Sequence, residues 1–221
     1  MDKFIQIAID GPAAAGKSTI AKIVAEKIGF VYVDTGAMYR AITWAAINRG
    51  LAVENELEIV NLLAETKIKL APGGKVFVND FDVTTAIREP SVTAGVPQVA
   101  TYKIVREELK KRQAQLADSA NIIMDGRDIG TNVLPEANFK FFMIADPRVR
   151  AERRYKENLA RGISADIDAL EQEIRNRDEM DANREHAPLR QAKDAILLDT
   201  SYMTIDEVVA EIVKIVTTKI N

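Results

Sequence analysis

The chain has 221 residues, of which 47% are apolar and 29% are charged, a composition typical of a globular domain that buries a real core. The formal net charge of −3 provides no bulk attraction for polyanions, so we expect neither nucleic acid nor membrane partners. The absence of cysteine excludes a disulfide framework, a thiolate zinc site and a cysteine nucleophile.

Neither a signal-peptide pattern nor an apolar run of roughly 18 residues occurs in the sequence, so we expect a cytoplasmic protein. Short β-rich apolar runs alternate with helical stretches along the chain. These runs cover residues 4–9, 30–33, 121–124, 140–145 and 195–198. The alternation favours a five-stranded parallel sheet in a doubly wound α/β fold.

Residues 67–83 break this alternation, because short β patterns there are separated by tight-turn residues and predict an antiparallel meander. At the other end of the chain, Thr204 and Glu207 form a capping-box pattern that predicts a C-terminal helix. We interpret residues 1–221 as one domain. Its predicted parts are a core of residues 1–65, 92–149 and 190–221, a β insert at about 66–91, and a helical lid at about 150–189.

A glycine-rich motif follows the first predicted strand and precedes a helix. It consists of Gly11, Pro12, Ala13, Ala14, Ala15, Gly16, Lys17, Ser18 and Thr19. The pattern is typical of a P-loop, whose backbone N–H groups surround the phosphates of ATP. Lys17 should reach the β- and γ-phosphates, and Ser18 should place its hydroxyl on Mg²⁺. Because no Asn-Lys-x-Asp or Asp-x-x-Gly motif occurs, the sequence favours a kinase over a GTPase.

Arginine dominates residues 148–190, where nine arginines stand against one lysine. Arginine grips phosphate oxygens with a planar fork. Ten acidic residues in the same segment leave open that many of these arginines form only helix-face pairs. Arg177, Asp181 and Arg184 are spaced to share one helix face, so we expect them to hold phosphates and a ribose hydroxyl.

Several segments together resemble bacterial cytidylate kinases over nearly the whole chain. They include IAIDGPAAAGKST at 7–19, VDTGAMYRA at 33–41, MDGRDIGT at 124–131, RAERR at 150–154 and NRDEMDANREHAPL at 176–189. The resemblance implies a P-loop kinase fold, ATP and CMP or dCMP as substrates, and Mg²⁺ as cofactor. It also implies that Arg153 belongs to the ATP site.

For the monophosphate, the resemblance puts Thr35 near the nucleoside, Arg40 on the acceptor phosphate and Arg127 as a phosphate clamp. It makes Asp128 and Arg106 the pair that reads cytosine. Lys17, Arg127 and Arg184 would stabilise charge on the transferring group. Two simpler interpretations stay open, namely that Asp34 or Thr35 only caps a helix and that Asp128 only pairs with Arg127 or Arg106.

Two positions depart from the family pattern. Ala14 stands where glycine is common, so we expect the backbone there either to keep a negative φ or to tolerate a Cβ. Pro97 stands where the family usually carries a serine, which puts one contact to cytosine in doubt. A related small kinase for another monophosphate or small acceptor and a non-enzymatic or regulatory P-loop protein remain the alternatives, and we expect a monomer.

Overall fold

The structure is a computed structural model that describes residues 4–160 and 162–220. By internal contacts the chain forms two compact units. The first runs from the N-terminal residues through Tyr32 and resumes at Ala120, and the second is Val33–Ser119. The predicted boundaries of core, insert and lid remain predictions. Within the described ranges, every helix is too short or too polar to cross a bilayer.

The main sheet has five strands, which are β1 Gln6–Asp10, β2 Val31–Asp34, β6 Ile122–Gly126, β7 Phe139–Ile144 and β8 Ile196–Asp199. Their order in the sheet is β2-β6-β1-β7-β8. Strand β1 pairs in parallel with both β6 and β7, and β7 pairs in parallel with β8. All five apolar runs are therefore confirmed as strands, with ends shifted by one or two residues.

Four helices of the first unit have defined bounds. They are α1 Lys17–Ile28, α6 Pro147–Ala160, α7 Ile167–Ala182 and α8 Ile205–Ile220. Helices α1 and α8 cover the sheet with a shared core that includes Ile9, Ile20 and Ile212, so β1 is buried as its apolar run predicts. The capping box is confirmed, because the Thr204 N–H donates to Oε2 of Glu207 at 2.8 Å.

The second unit contains α2 Thr35–Asn48, α3 Glu56–Glu65, α4 Pro90–Val99 and α5 Lys103–Ala117. It also holds a three-stranded antiparallel sheet of β3 Ile68–Ala71, β4 Lys75–Val78 and β5 Phe81–Asp82. The predicted meander is thus confirmed. Helices and sheet share one apolar core, to which Ile42, Ile59 and Leu109 contribute fully buried side chains.

Candidate active site

The P-loop (residues 11–18) connects β1 to α1 and contains three residues with positive φ. Gly11 has φ +150°, and a Cβ at this position would lie 2.0 Å from the carbonyl oxygen of Met143 on β7. Ala14 has φ +57° and Gly16 has φ +84°. The expectation of a negative φ at Ala14 was wrong, and the alternative holds: this position tolerates a Cβ in the left-handed region, at a cost of about 1 to 2 kcal/mol.

Lys17 is buried at the start of α1, where its Nζ donates a hydrogen bond of 2.7 Å to the Pro12 carbonyl. Burial, together with repulsion by Arg127, lowers the pKa of Lys17 to about 7. The carboxylates of Asp125 and Asp10 act in the opposite direction. The ammonium ion is therefore easily lost, and an anion beside it would restore it.

Ser18 and Tyr32 both donate to the carboxylate of Asp125, a buried residue near the end of β6. Ser18 Oγ lies 2.7 Å from Oδ2 and the Tyr32 hydroxyl lies 2.9 Å from Oδ1. A hydroxyl and a carboxylate are the oxygen ligands that Mg²⁺ accepts in phosphoryl-transfer sites. Among the described residues, no group of three or more acidic or histidine side chains could hold a metal ion. The Ser18 hydroxyl and the Asp125 carboxylate could serve as two oxygen ligands of such a metal.

Asp10, the last residue of β1, fastens the segment that follows β6. Its carboxylate accepts from the backbone N–H groups of Ile129 at 2.8 Å and Gly130 at 2.7 Å. Burial raises the pKa of Asp10 to about 6, although these two hydrogen bonds oppose the shift. The adjoining Asp128 is also buried, and its Oδ2 accepts from Nδ2 of Asn132 at 2.9 Å. The backbone next to Asp128 is thereby anchored to β1.

The arginine cluster, as we define it, consists of Arg127, Arg177, Asp181 and Arg184. Its three guanidinium groups surround the fully buried carboxylate of Asp181. Arg127 Nε donates to Oδ2 of Asp181 at 2.7 Å, and Arg184 pairs with Oδ1. Burial pushes the pKa of Asp181 upward, but Arg127 and Arg184 outweigh it and hold the pKa below its ordinary value. Three guanidinium ions against one carboxylate leave a surplus of positive charge, which suits a phosphate.

Arg177 is the cation of this cluster whose burial and nearby charges lower its pKa. Burial, followed by repulsion from Arg127, lowers the pKa of Arg177 to about 10. Its Nε is buried and has no hydrogen-bond partner among the described residues. The predicted common helix face is correct for Arg177 and Asp181 but wrong for Arg184, because α7 ends at Ala182. Arg184 instead returns to Asp181 from the segment after the helix.

Arg153 lies on α6 and is half-buried. Its Nη2 donates to the Thr200 carbonyl at 2.5 Å, and its Nη1 lies 3.4 Å from the Thr200 hydroxyl. Thr200 directly follows β8, so this contact joins α6 to the end of a sheet strand. Partial burial lowers the pKa of Arg153, but the guanidinium remains the charged form.

In the second unit, Asp34 caps α2 and accepts from the Ala37 N–H at 2.8 Å. The same carboxylate accepts from Arg40 Nη2 at 2.6 Å, and Arg88 Nη2 lies 3.5 Å from it. Thr35 is the first helical residue and is buried. The capping interpretation is therefore correct for Asp34, whose second task is to hold Arg40.

Arg106 is a buried cation on α5. Its Nη1 donates to the Ala100 carbonyl at 3.2 Å, and its guanidinium carbon lies 5.8 Å from the centroid of the Tyr39 ring. That distance is within the range of a cation–π interaction. The tyrosine ring and the carbonyl together fix the orientation of the guanidinium plane.

The structure groups the predicted residues by unit. The first unit brings together the P-loop, Arg127 and Asp181, since Lys17 interacts electrostatically with both side chains. The second unit holds Thr35, Arg40 and Arg106. Sequence reasoning missed Asp10, Asp125 and Arg88 as members of these groups. An acidic residue at the carboxyl end of an apolar strand was the signal that could have identified the two aspartates.

Comparison with known proteins decides the family. A family model described as cytidylate kinase matches residues 7–218. This chain belongs to the cytidylate kinase family. A cytidylate kinase of Leuconostoc mesenteroides subsp. mesenteroides is 53% identical over 219 residues, which cover 98% of this chain and 98% of that protein. A cytidylate kinase of Listeria innocua is 53% identical over 222 residues, which cover 100% of this chain and 99% of that protein.

One solved structure is similar in fold to this cytidylate kinase family member. The structure of an uncharacterized protein from Eubacterium ventriosum has a TM-score of 0.53 and 12% sequence identity, and the match covers 98% of this chain and 99% of that chain. At this identity the likeness concerns the fold alone. The parallel sheet, the P-loop after β1 and the family match confirm the predicted doubly wound P-loop kinase fold.

Proposed function

We propose that this protein transfers the γ-phosphoryl group of ATP to CMP or dCMP, forming CDP or dCDP. The observation that carries the proposal is the surplus positive charge of the arginine cluster, which interacts with Lys17 of the P-loop in a chain of the cytidylate kinase family. Phosphoryl transfer needs positioned cations more than a general base, because the acceptor phosphate oxygen is already a nucleophile.

The P-loop, together with Thr19 and Arg153, is proposed to bind ATP. Lys17 would exchange the Pro12 carbonyl for β- and γ-phosphate oxygens, and the anion would keep the ammonium protonated. Arg127 and Arg184 would stabilise the charge that spreads over the transferring group. Nε of Arg177, which has no partner in the described part of the chain, would donate to a phosphate oxygen. Asp181 would hold these cations in place and is proposed to contact the ribose.

Arg40 is proposed to bind the acceptor phosphate, with its geometry set by Asp34. Thr35 is proposed to lie at the nucleoside. Arg106 and Asp128 are proposed to read cytosine, because a carboxylate accepts from the exocyclic amine and a guanidinium donates to the ring acceptors. UMP offers an oxygen in place of that amine, which would leave two acceptors facing each other.

Mg²⁺ is the proposed cofactor, and Ser18 with Asp125 are the residues that would hold it. At this position it would supply positive charge that offsets the charge of the phosphates. We further propose that the protein acts as a monomer in the cytoplasm, without nucleic-acid or membrane partners, in keeping with its small nucleotide substrates and net charge of −3.

The experiment that tests this function measures ADP release from ATP and Mg²⁺ with CMP, dCMP, UMP, AMP, GMP and dTMP. We expect turnover to be highest with CMP or dCMP, and the Asp128→Ala variant to lose activity or base preference. Asp118→Ala, which changes an exposed carboxylate after α5, is the matched control and should behave as wild type. Equal turnover with UMP, or ATP hydrolysis that no acceptor raises, would contradict the proposal and support one of the two alternatives.

A further inference from the structure

A pair of charged side chains contacts both the N–H and the carbonyl of Ala13 in the P-loop. Arg150 of α6 donates from Nη1 to the Ala13 carbonyl at 2.9 Å. Asp178 of α7 accepts from the Ala13 N–H at 3.2 Å. The two side chains pair with each other, since Arg150 Nη2 lies 2.6 Å from Oδ2 of Asp178. Helices α6 and α7 therefore both bind the P-loop at Ala13.

All three nitrogen atoms of the Arg150 guanidinium contact an oxygen atom. Besides the two contacts already given, Nε donates to the carbonyl of Ala145, the residue directly after β7, at 2.8 Å. The side chain is only 4% exposed, and that of Asp178 is 23% exposed. A lysine at this position could not reproduce three divergent donors, because its ammonium is a single point charge. The contact therefore has a defined geometry, and general charge attraction does not account for it.

The same face of α7 also carries the arginine cluster. Asp178 and Asp181 are three residues apart, a spacing that places two side chains on one helix face. Asp178 contacts the P-loop, and Asp181 binds Arg127 and Arg184. One rigid helix therefore connects the loop proposed to hold ATP with the cations proposed to stabilise the transferring group.

We infer that Arg150 and Asp178 are positioning residues, which set the P-loop in register with the arginine cluster for phosphoryl transfer. The inference rests on the proposed function, because it assigns the pair a role in that reaction. Neither side chain needs to touch a substrate. Loss of the pair leaves the P-loop amide groups able to bind phosphate but misplaces Lys17 relative to Arg127. We therefore expect a defect in kcat that exceeds any defect in ATP binding.

A matched pair of variants on α7 tests the inference. Asp178→Asn weakens the grip on Ala13 and the pairing with Arg150. Asp168→Asn removes the charge from another α7 aspartate that pairs with an α6 arginine, Arg148, without contacting the P-loop. We expect Asp178→Asn to lower kcat by about tenfold to a hundredfold while the dissociation constant of ATP changes by less than about threefold. Asp168→Asn should match wild type in both quantities.

Hydrogen exchange of the free protein provides a readout besides turnover. We expect the Ala13 amide to exchange faster in Asp178→Asn than in Asp168→Asn, because its acceptor is weakened. A kcat in Asp178→Asn within about twofold of that in Asp168→Asn would overturn the inference. Tighter ATP binding at unchanged kcat would also overturn it, since Asp178 would then only compete with phosphate for the amide.

Arg150→Lys is the second test, since it keeps the charge but loses the fork. We expect it to reproduce the kcat defect of Asp178→Asn, and wild-type kcat in this variant would overturn the inference. The two levels of proposal fail differently. Wild-type protein without CMP-dependent ADP release would contradict the proposed function. Equal exchange of the Ala13 amide in the two α7 variants would instead contradict the contact between Asp178 and Ala13.

Discussion

Arg127 Nε donates a 2.7 Å hydrogen bond to Asp181, whose carboxylate is one of the most buried charges of the described chain. The carboxylate also pairs with Arg184 and interacts with Arg177. It therefore brings cations together that would otherwise repel one another, and it neutralises only part of their charge. The local organisation of the cluster depends on this one side chain.

Asp181→Asn should be strongly destabilising. Removing one partner of a buried ion pair costs about 3 to 5 kcal/mol, because the remaining charge is left uncompensated. We expect a loss of this size in the free energy of unfolding, measured by urea denaturation at pH 7, together with a kcat at least about tenfold lower. Inorganic phosphate should restore stability to the variant more than to wild type, since an anion can replace the missing charge. An unfolding free energy equal to that of wild type would contradict this role.

The pH dependence of wild-type stability follows from the same residue. The pKa of Asp181 is held below its ordinary value of 3.8 in the folded protein. The stabilisation is therefore fully present above pH 3.8 and is lost as the pH falls through the folded-state pKa. Asp181→Asn should consequently flatten the acid limb of the stability curve, which urea denaturation at a series of pH values measures.

Lys17 should take up a proton when ATP binds at about pH 8. Its folded-state pKa of about 7 lies below the ordinary value of 10.5, so the amine is mostly neutral there. Phosphates raise that pKa and draw in most of one proton, which calorimetry in buffers of different ionisation enthalpy measures. Lys17→Arg should show no uptake, because arginine stays charged. Equal uptake in both proteins would place the titrating group elsewhere.

Gly11→Ala should damage the P-loop, because the new Cβ would overlap the Met143 carbonyl at 2.0 Å. We expect ATP affinity to fall at least about tenfold and stability to fall by about 1 to 3 kcal/mol. Gly50→Ala is the matched control: its φ of +69° is also positive, but among the described residues no atom beyond its chain neighbours lies within 4 Å of the added Cβ. It should cost stability alone, and similar ATP affinities in the two variants would contradict the steric explanation.

Pro97→Ser tests the departure from the family pattern. Pro97 lies inside α4, where it provides no N–H. If the family's serine contact forms, the ratio of kcat/KM for CMP to that for UMP should rise by about two- to tenfold, the value of one hydrogen bond. Pro97→Ala also regains the N–H but lacks the hydroxyl, so it should gain stability without the change in ratio. Equal ratios in both variants would exclude a base contact at this position.

Much of the fold could be predicted from sequence because each element carries a strong local pattern. The buried strand β1 is a continuous apolar run, and the P-loop follows it in the order that the motif requires. The family resemblance suggested Arg127, and helical spacing suggested the other members of the arginine cluster. Local patterns determine which residues form a strand or a loop, so these assignments could be made from the sequence alone.

The remaining features depend on tertiary contacts. The helical spacing of Arg184 was misleading because α7 ends two residues earlier, and the ion pair with Asp181 forms all the same. A positive φ at Ala14 has no signal in a run of alanines. Asp125 and Asp178 were missed because an isolated aspartate resembles many surface acids until the chain brings it to Ser18 or Ala13.

The contacts of Arg150 and Asp178 with Ala13 limit which segments of this protein can be exchanged with those of its relatives. Helices α6 and α7 contact a loop more than a hundred residues away in sequence, through the N–H and the carbonyl of one residue. A chimera that imports the two helices from another kinase must also bring this arginine and this aspartate in the same register. The helical segment is therefore not an exchangeable module, and grafts that ignore the pair would inherit a misaligned ATP loop.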